Sequence, residues 1–106
     1  MALPSEAELL RIYVDELDMY GERAVYKAIV EAAHKHGMAG ATVLRGVVGF
    51  GASACIHAGG AFQIWKNLPM VIEIVDRPER IAEFLPELKQ VMHKGLVTLE
   101  KVRVVT

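Results

Sequence analysis

The side chains best suited to nucleophilic chemistry in this chain of 106 residues are one cysteine and four histidines. Cys55 lies two residues before His57, and a cysteine needs an activating neighbour to become a nucleophile. A separation of two residues guarantees no contact, and no spacing joins this pair to Glu73 or Asp76 as a catalytic dyad or triad. An ordinary loop cysteine is therefore favoured, and a small oligomeric enzyme remains an alternative.

The sequence also offers few candidate ligands for a metal ion. His34 and His36 flank Lys35, whereas two ligands on one helix face need a spacing of four residues. The triplet is more typical of a helix C-terminus, where cations suit the negative end of the dipole. Cys55 and His57 supply only two donors per chain, so a metal- or ion-tolerance protein stays a second alternative that needs several copies.

A glycine-rich stretch points to a different chemistry. Residues 37–51 read GMAGATVLRGVVGFG and contain five glycines. Glycine weakens a strand interior, so this density predicts turns or a close approach of the main chain to another group. Arg45 lies within the stretch, on one predicted strand face with Val43 and Val47. An arginine there either pairs across the sheet, with Glu73 as the expected partner, or binds an anionic ligand.

Composition excludes several classes of protein. Lys plus Arg is 12 and Asp plus Glu is 13, so no basic surface for nucleic acid is predicted. No apolar run approaches the ~18 residues of a membrane helix, and the N-terminus lacks the pattern of a signal peptide. One cysteine suits a reducing compartment. We therefore expect a cytoplasmic protein, not inserted in a membrane, with a single domain over residues 1–106.

The elements that must position these residues follow from hydrophobic periodicity. The predicted strands cover residues 9–17, 41–48, 70–75 and 96–105, and the predicted helices cover 22–36 and the segment from 78 to 94. Glu22 is expected to open the first helix and Gly37 to cap it in a left-handed conformation. Pro86 interrupts the second helix, which Gly95 is expected to end, and the alternation slips near Glu100, which predicts a bulge.

This order predicts an α+β fold, the ferredoxin-like βαββαβ sandwich, with a four-stranded antiparallel sheet and two helices on one face. The other face would be bare, and a bare apolar face is usually covered by a partner, so we expect a homo-oligomer. Several apolar side chains are expected on that face, including some from Leu9, Tyr13, Leu44, Val71 and Val97.

The connection between the second and third main strands, residues 49–69, is longer than a hairpin needs. A connection of this length is typical of a functional segment, which we expect to be mobile without ligand between about Ala52 and Trp65. An equally open alternative is a hairpin arm that packs Phe62 and Trp65 onto a neighbouring subunit.

Three motifs in order resemble the PII signal-transduction superfamily of small trimeric ferredoxin-like proteins. They are GMAGATV at residues 37–43, GFG at 49–51 and LPMVIEIV at 68–75. The resemblance covers nearly the whole chain, with one extra residue between Thr42 and Gly49. It is closest to a PII-like family of small prokaryotic proteins that is mostly uncharacterised.

The resemblance implies a homotrimer with an adenine nucleotide in the cleft between subunits, and a long loop, the T-loop, that moves with the ligand. It implies that Thr42 meets adenine, that the GFG main chain lies against the nucleotide, and that residues 73–75 line the far side. No further cofactor is implied. With Arg45 and the Gly95 region added, the expected ligand-binding residues are Thr42, Arg45, Gly49, Phe50, Gly51, Ala52, Ser53, Glu73, Ile74, Val75 and Gly95.

The sequence departs from the PII pattern at the positions that bind the phosphates of the nucleotide. Ala52 and Ser53 stand where PII proteins place an arginine and a glutamine that serve the phosphates and 2-oxoglutarate. Of the second PII phosphate loop, TGxxGDGK, only the Gly95 region corresponds. The cleft is thus expected to hold AMP or ADP rather than ATP, a different small anion, or nothing. Other charged candidates are Lys66, His93, Lys94 and Arg103. By analogy with PII proteins, the loop would bind a membrane transporter or channel.

Overall fold

A computed structural model of the chain describes residues 3–49 and 67–106. None of its helices within these ranges is both long and apolar enough to cross a membrane. The elements, in chain order, are β1 Glu6–Asp15, β2 Met19–Tyr20, β3 Arg23–Ala24, α1 Val25–His36, β4 Thr42–Arg45, β5 Pro69–Asp76, α2 Pro78–Val91 and β6 Leu96–Arg103.

The main sheet has the strand order β4-β5-β1-β6, and all neighbouring strands are antiparallel. Both helices pack on one face, which confirms the predicted ferredoxin-like sandwich. Strands β2 and β3 form a separate two-stranded ribbon that was not predicted from the sequence.

The core forms between the helices and one face of the sheet. Alternation in β1 puts Leu10, Ile12 and Val14 on this face, as predicted, and Leu10 and Ile12 are fully buried. The register sets Ile12 opposite Ile72, and Phe84 of α2 is also fully buried in the same cluster. This layer holds the sheet rigid beneath its other face.

The helix ends agree with the sequence in part. Gly37 adopts φ 78° after α1 and its N–H donates to the His34 carbonyl at 3.1 Å, as expected of a left-handed cap. The prediction that Glu22 opens α1 is wrong, because Arg23 and Ala24 pair in the ribbon and the helix begins only at Val25. α2 begins with Pro78 in its first turn, continues through Pro86 and ends at Val91, before Gly95.

The predicted bulge near Glu100 is also wrong. The pairing of β1 with β6 runs without a slip from Glu6 opposite Arg103 to Tyr13 opposite Leu96. β6 is an edge strand, and its Leu99, opposite the buried Leu10, is still 48% exposed. Since burial constrains this strand weakly, its apolar alternation is irregular while its hydrogen-bond register is regular.

The open face of the sheet is the face opposite the two helices. Register pairs place Leu9 with Val75, and Tyr13 with Val71 and Leu96, on this face. Leu44 lies opposite Val71 and is half-exposed, so four of the five expected apolar residues are placed correctly. Val97 is not, because it pairs with the core residue Ile12 and therefore lies on the helix side.

Candidate functional site

A row of polar side chains crosses the middle of the open face. The Nε of Arg11 donates to Glu73 Oε2 at 2.9 Å, and its Nη1 lies 3.4 Å from Glu100 Oε1. Thr42 is the register partner of Glu73 on the edge strand β4. The hydrogen bond to Glu73 raises the pKa of Arg11 above its ordinary value, against the opposing effect of desolvation. The Arg11 guanidinium in this row is therefore permanently charged.

The predicted pairing of Arg45 with Glu73 is wrong, and the register gives the reason. Thr42 lies opposite Glu73, whereas Arg45 lies three residues further along β4 and opposite Met70. Residues an odd number apart in a strand lie on opposite faces, so the two side chains are separated by the sheet. Arg45 Nη2 instead lies 2.7 Å from Glu16 Oε2, at the end of β1.

Two of the glycines in the 37–51 stretch make room for a proline. The Gly46 N–H donates to the Pro69 carbonyl at 2.7 Å. A Cβ at Gly46 would lie 2.5 Å from Pro69 Cγ, and one at Gly49 would lie 3.1 Å from the same atom. The close approach inferred from the glycine density thus has an intramolecular cause at these positions.

The described C-terminal end of the long connection is held against the end of β1. The Glu16 N–H donates to the Leu68 carbonyl at 2.9 Å, and the Leu17 N–H donates to Asn67 Oδ1 at 3.1 Å. Together with the Arg45 ion pair and the Gly46 hydrogen bond, these contacts join β1, the residues after β4 and the residues before β5. We call this group, Glu16, Leu17, Arg45, Gly46 and Pro69, the loop base.

Gly95 lies at the same end of the sheet but on the other edge. It adopts φ 127°, and a Cβ there would meet the Tyr13 carbonyl oxygen at 2.5 Å and Met92 Cε at 2.8 Å. The neighbouring Lys94 Nζ lies 3.3 Å from Asp18 Oδ1. Three strand spacings of ~4.8 Å separate edge strand β6 from β4, about 14 Å in all.

The other expected ligand residues divide between the two faces. Thr42, Glu73 and Val75 lie on the open face, where Thr42 is exposed. The side chain of Ile74 is fully buried beneath the helices, so its contribution to a ligand would come from its main chain. The predictions for Phe50, Gly51, Ala52 and Ser53, for Cys55 and His57, and for Phe62, Trp65 and Lys66 lie outside the described residues.

Two titratable residues considered at the sequence level have structural partners. Asp76 is 1% exposed and accepts the N–H of Ala39 at 2.9 Å and that of Arg77 at 2.7 Å. His36 Nδ1 lies 3.1 Å from Glu87 Oε1 and so links α1 to α2. Within residues 3–49 and 67–106, no three His, Cys, Asp or Glu side chains are grouped to hold a metal ion.

Sequence reasoning missed Arg11, Glu16, Gly46 and Pro69 as members of these arrangements. A signal existed for Arg11, because its position in the alternating β1 strand places it on the bare face. Gly46 was counted among the five glycines, but nothing in the chain order pairs it with Pro69. Glu16 ends a predicted strand, and its approach to Arg45 depends on how β1 and β4 flank β5.

Comparisons with known proteins identify relatives of this chain in sequence and in fold. The sequence profile of the DUF190 family, described as "Uncharacterized ACR", matches residues 7–104. A UPF0166 protein of Aquifex aeolicus is 41% identical over 98 residues, 92% of each chain.

Two solved structures share the fold. A protein named as a putative PII-like signalling protein, from Thermus thermophilus, has a TM-score of 0.65 and 19% identity, covering 94% of this chain and 90% of its own. CPII from Thiomonas intermedia, solved with ADP, AMP and acetate, has a TM-score of 0.64 and 14% identity, covering 95% and 90%.

Proposed function

Because this chain belongs to the DUF190 family and has the fold of PII-like signalling proteins, we propose that it is a PII-like regulatory protein rather than an enzyme. In this proposal it is a cytoplasmic homotrimer that binds an adenine nucleotide, AMP or ADP in preference to ATP, between its subunits. Residues 49–69 form the surface through which the nucleotide-bound protein signals to a partner. The candidate partner is a membrane transporter or channel.

The observation that carries this proposal is the distribution of the candidate residues over the sheet. Arg45 and Gly49 belong to the β4 edge, and Gly95 belongs to the β6 edge, about 14 Å away within one chain. A closed ring brings one edge of each subunit towards the opposite edge of its neighbour. In this proposal, the β4 edge of one subunit and the β6 edge of its neighbour form the site together.

The open face supports the same assembly. Leu44 is 50% exposed and Leu96 is 58% exposed, on a face that none of the described helices covers. Contiguous exposed apolar surface of this kind is typical of an interface. Packing of three open faces about one axis would bury these side chains and bring Thr42, Glu73 and Val75 close to a neighbouring subunit.

The choice of nucleotide rests on the relatives and on the departures in sequence. CPII, which shares the fold, was solved with ADP and AMP. Ala52 and Ser53 lack the charge that PII proteins place there for the phosphates. In this proposal the nucleoside is held mainly by Thr42, on the open face, and by main-chain groups. Its phosphates pass the edge of β4 to reach Arg45, whose side chain lies on the other face.

Calorimetric titration with AMP, ADP and ATP, together with the mass from light scattering, tests the proposal. We expect a trimer mass and measurable binding of AMP or ADP. The variant Thr42→Val removes a hydroxyl without changing shape, and we expect about a two- to tenfold loss of affinity. Thr98→Val is the matched control on the same face, with binding retained. A monomer mass, or no binding of any of the three nucleotides, would contradict the proposal.

A further inference from the structure

Glu16 is absent from the expected ligand set, yet it is the charged partner of Arg45. Its Oε2 lies 2.7 Å from Arg45 Nη2, with the Glu16 side chain 18% exposed and that of Arg45 55% exposed. The main chain at Glu16 is held by the hydrogen bond to Leu68. The carboxylate therefore has a defined position next to the cation, while much of the guanidinium faces solvent.

The geometry leaves Arg45 able to bind a second anion. A guanidinium has five N–H donors in a fixed plane, and the Glu16 contact uses one edge of it. Oxygens of a phosphate or carboxylate can take the exposed donors. An anion bound there would lie roughly 5–6 Å from the Glu16 carboxylate, a distance at which two like charges on a partly exposed surface repel.

Resting on the proposed nucleotide site, we propose that Glu16 is a specificity-determining residue, whose fixed negative charge selects nucleotides with fewer phosphates. The repulsion from Glu16 and the attraction to Arg45 both grow with every charge added to the ligand, so Glu16 reduces the gain in affinity that each added charge would otherwise bring. Glu16 thus disfavours ATP relative to AMP. The hydrogen bond from the Glu16 N–H to Leu68 holds the main chain at this position, so the carboxylate can move away from the anion only by rotation of its own side chain.

The solvent exposure of Glu16 and Arg45 determines how large a change in affinity is expected. Interactions between partly exposed charges are modest, so removal of the Glu16 charge is expected to raise affinity by about two- to fivefold for each added ligand charge. Salt screens such interactions, so the gain is expected to shrink between about 0.05 M and 0.5 M salt. A purely structural role for Glu16 would produce neither the dependence on ligand charge nor the dependence on salt.

The variant Glu16→Gln, titrated with AMP, ADP and ATP at low and high salt, tests this inference. We expect tighter binding, with the largest gain for ATP and the smallest for AMP. Glu79→Gln is the matched control, because it makes the same change of net charge at an exposed position in the first turn of α2. Glu79 follows the far end of β5, about 20 Å from the loop base, so we expect its affinities to match those of the wild type.

The outcomes separate this inference from the proposed function. If the wild type binds AMP or ADP but Glu16→Gln gains nothing, gains equally for all three nucleotides, or matches Glu79→Gln, the specificity role is wrong and the nucleotide site stands. Unchanged affinity in Arg45→Gln would likewise overturn the inference alone, by showing that the phosphates lie elsewhere. Binding by Glu16→Gln but not by the wild type would contradict the proposed function and, with it, the inference. No binding by any variant would overturn both.

Discussion

The two faces of the four-stranded sheet are built from alternate residues of the same strands, but their surroundings differ. On the helix side, Ile12, Ile72 and Ile74 are fully buried between strands and helices. On the open face, Leu44 and Leu96 remain at least half-exposed, and the ion pair of Arg11 with Glu73 lies among apolar neighbours. One face has its packing partners within the described chain, and the other has apolar surface that no described helix covers.

This difference separates the residues that stabilise the fold from those available for assembly and binding. Burial of the helix-side isoleucines and of Phe84 contributes to folding of a single chain. Exposed apolar side chains on the open face contribute little until another surface covers them. Substitutions on the two faces should therefore be detected by different measurements.

The largest expected effect comes from the covered face. Phe84→Ala removes a fully buried ring, and we expect the free energy of unfolding to fall by about 3–5 kcal/mol. Leu44→Ala, on the half-exposed open face, is expected to change monomer stability by less than about 1 kcal/mol but to weaken the proposed trimer. Urea unfolding and light scattering on both variants measure this contrast. Equal losses of stability would show that the open face is packed within one chain.

The next effect concerns Asp76, at the end of the sheet away from the loop base. Asp76→Ala leaves two main-chain N–H groups without their carboxylate, and we expect a loss of about 2–4 kcal/mol in urea unfolding. Asp76→Asn keeps one acceptor oxygen and should lose less. If Asp76→Ala unfolds like the wild type, the carboxylate is dispensable to the fold, and a chemical role becomes the better explanation.

The glycines at the sheet edge give the third effect. Gly95→Ala places a Cβ at positive φ against the Tyr13 carbonyl, and we expect a loss of about 2 kcal/mol or more. Gly21→Ala has the same sign of φ but open space around it, so about 1 kcal/mol is expected. Gly40→Ala, with neither constraint, should stay within about 0.5 kcal/mol of the wild type. Thermal unfolding that ranks the three differently would remove the packing explanation for Gly95.

The smallest expected effect concerns pH, because the contribution of Arg11 to the free energy of unfolding should not change with it. The pKa of Arg11 is raised in the folded chain, so its stabilising contribution is fully present below the unfolded pKa and is lost as the pH rises through the folded one. The difference in unfolding free energy between Arg11→Gln and the wild type should thus stay constant between about pH 6 and pH 9. If the difference changes within this range, another titratable group interacts with the row of polar side chains on the open face.

Hydrophobic periodicity, helix caps and element order were sufficient to determine the ferredoxin-like fold. Each is local: alternation in β1 identifies Leu10, Ile12 and Val14 as one face, and Gly37 after a helical stripe marks a left-handed cap. The resemblance to PII proteins extended this to a candidate ligand site. The errors at Glu22 and Glu100 arose where burial constrains the pattern least, in a short ribbon and on an exposed edge strand.

Only the tertiary structure decided which residues of different strands meet. Alternation tells which side chains of one strand share a face, but the register between strands depends on the hydrogen-bond ladder. That register pairs Glu73 with Arg11 instead of Arg45, and leaves Arg45 to Glu16. Likewise the glycine density indicated a close approach, whereas the approaching group, Pro69, is 23 residues from Gly46 along the chain. Contacts between distant segments arise only when the sheet has formed, since the chain order carries no distance between them.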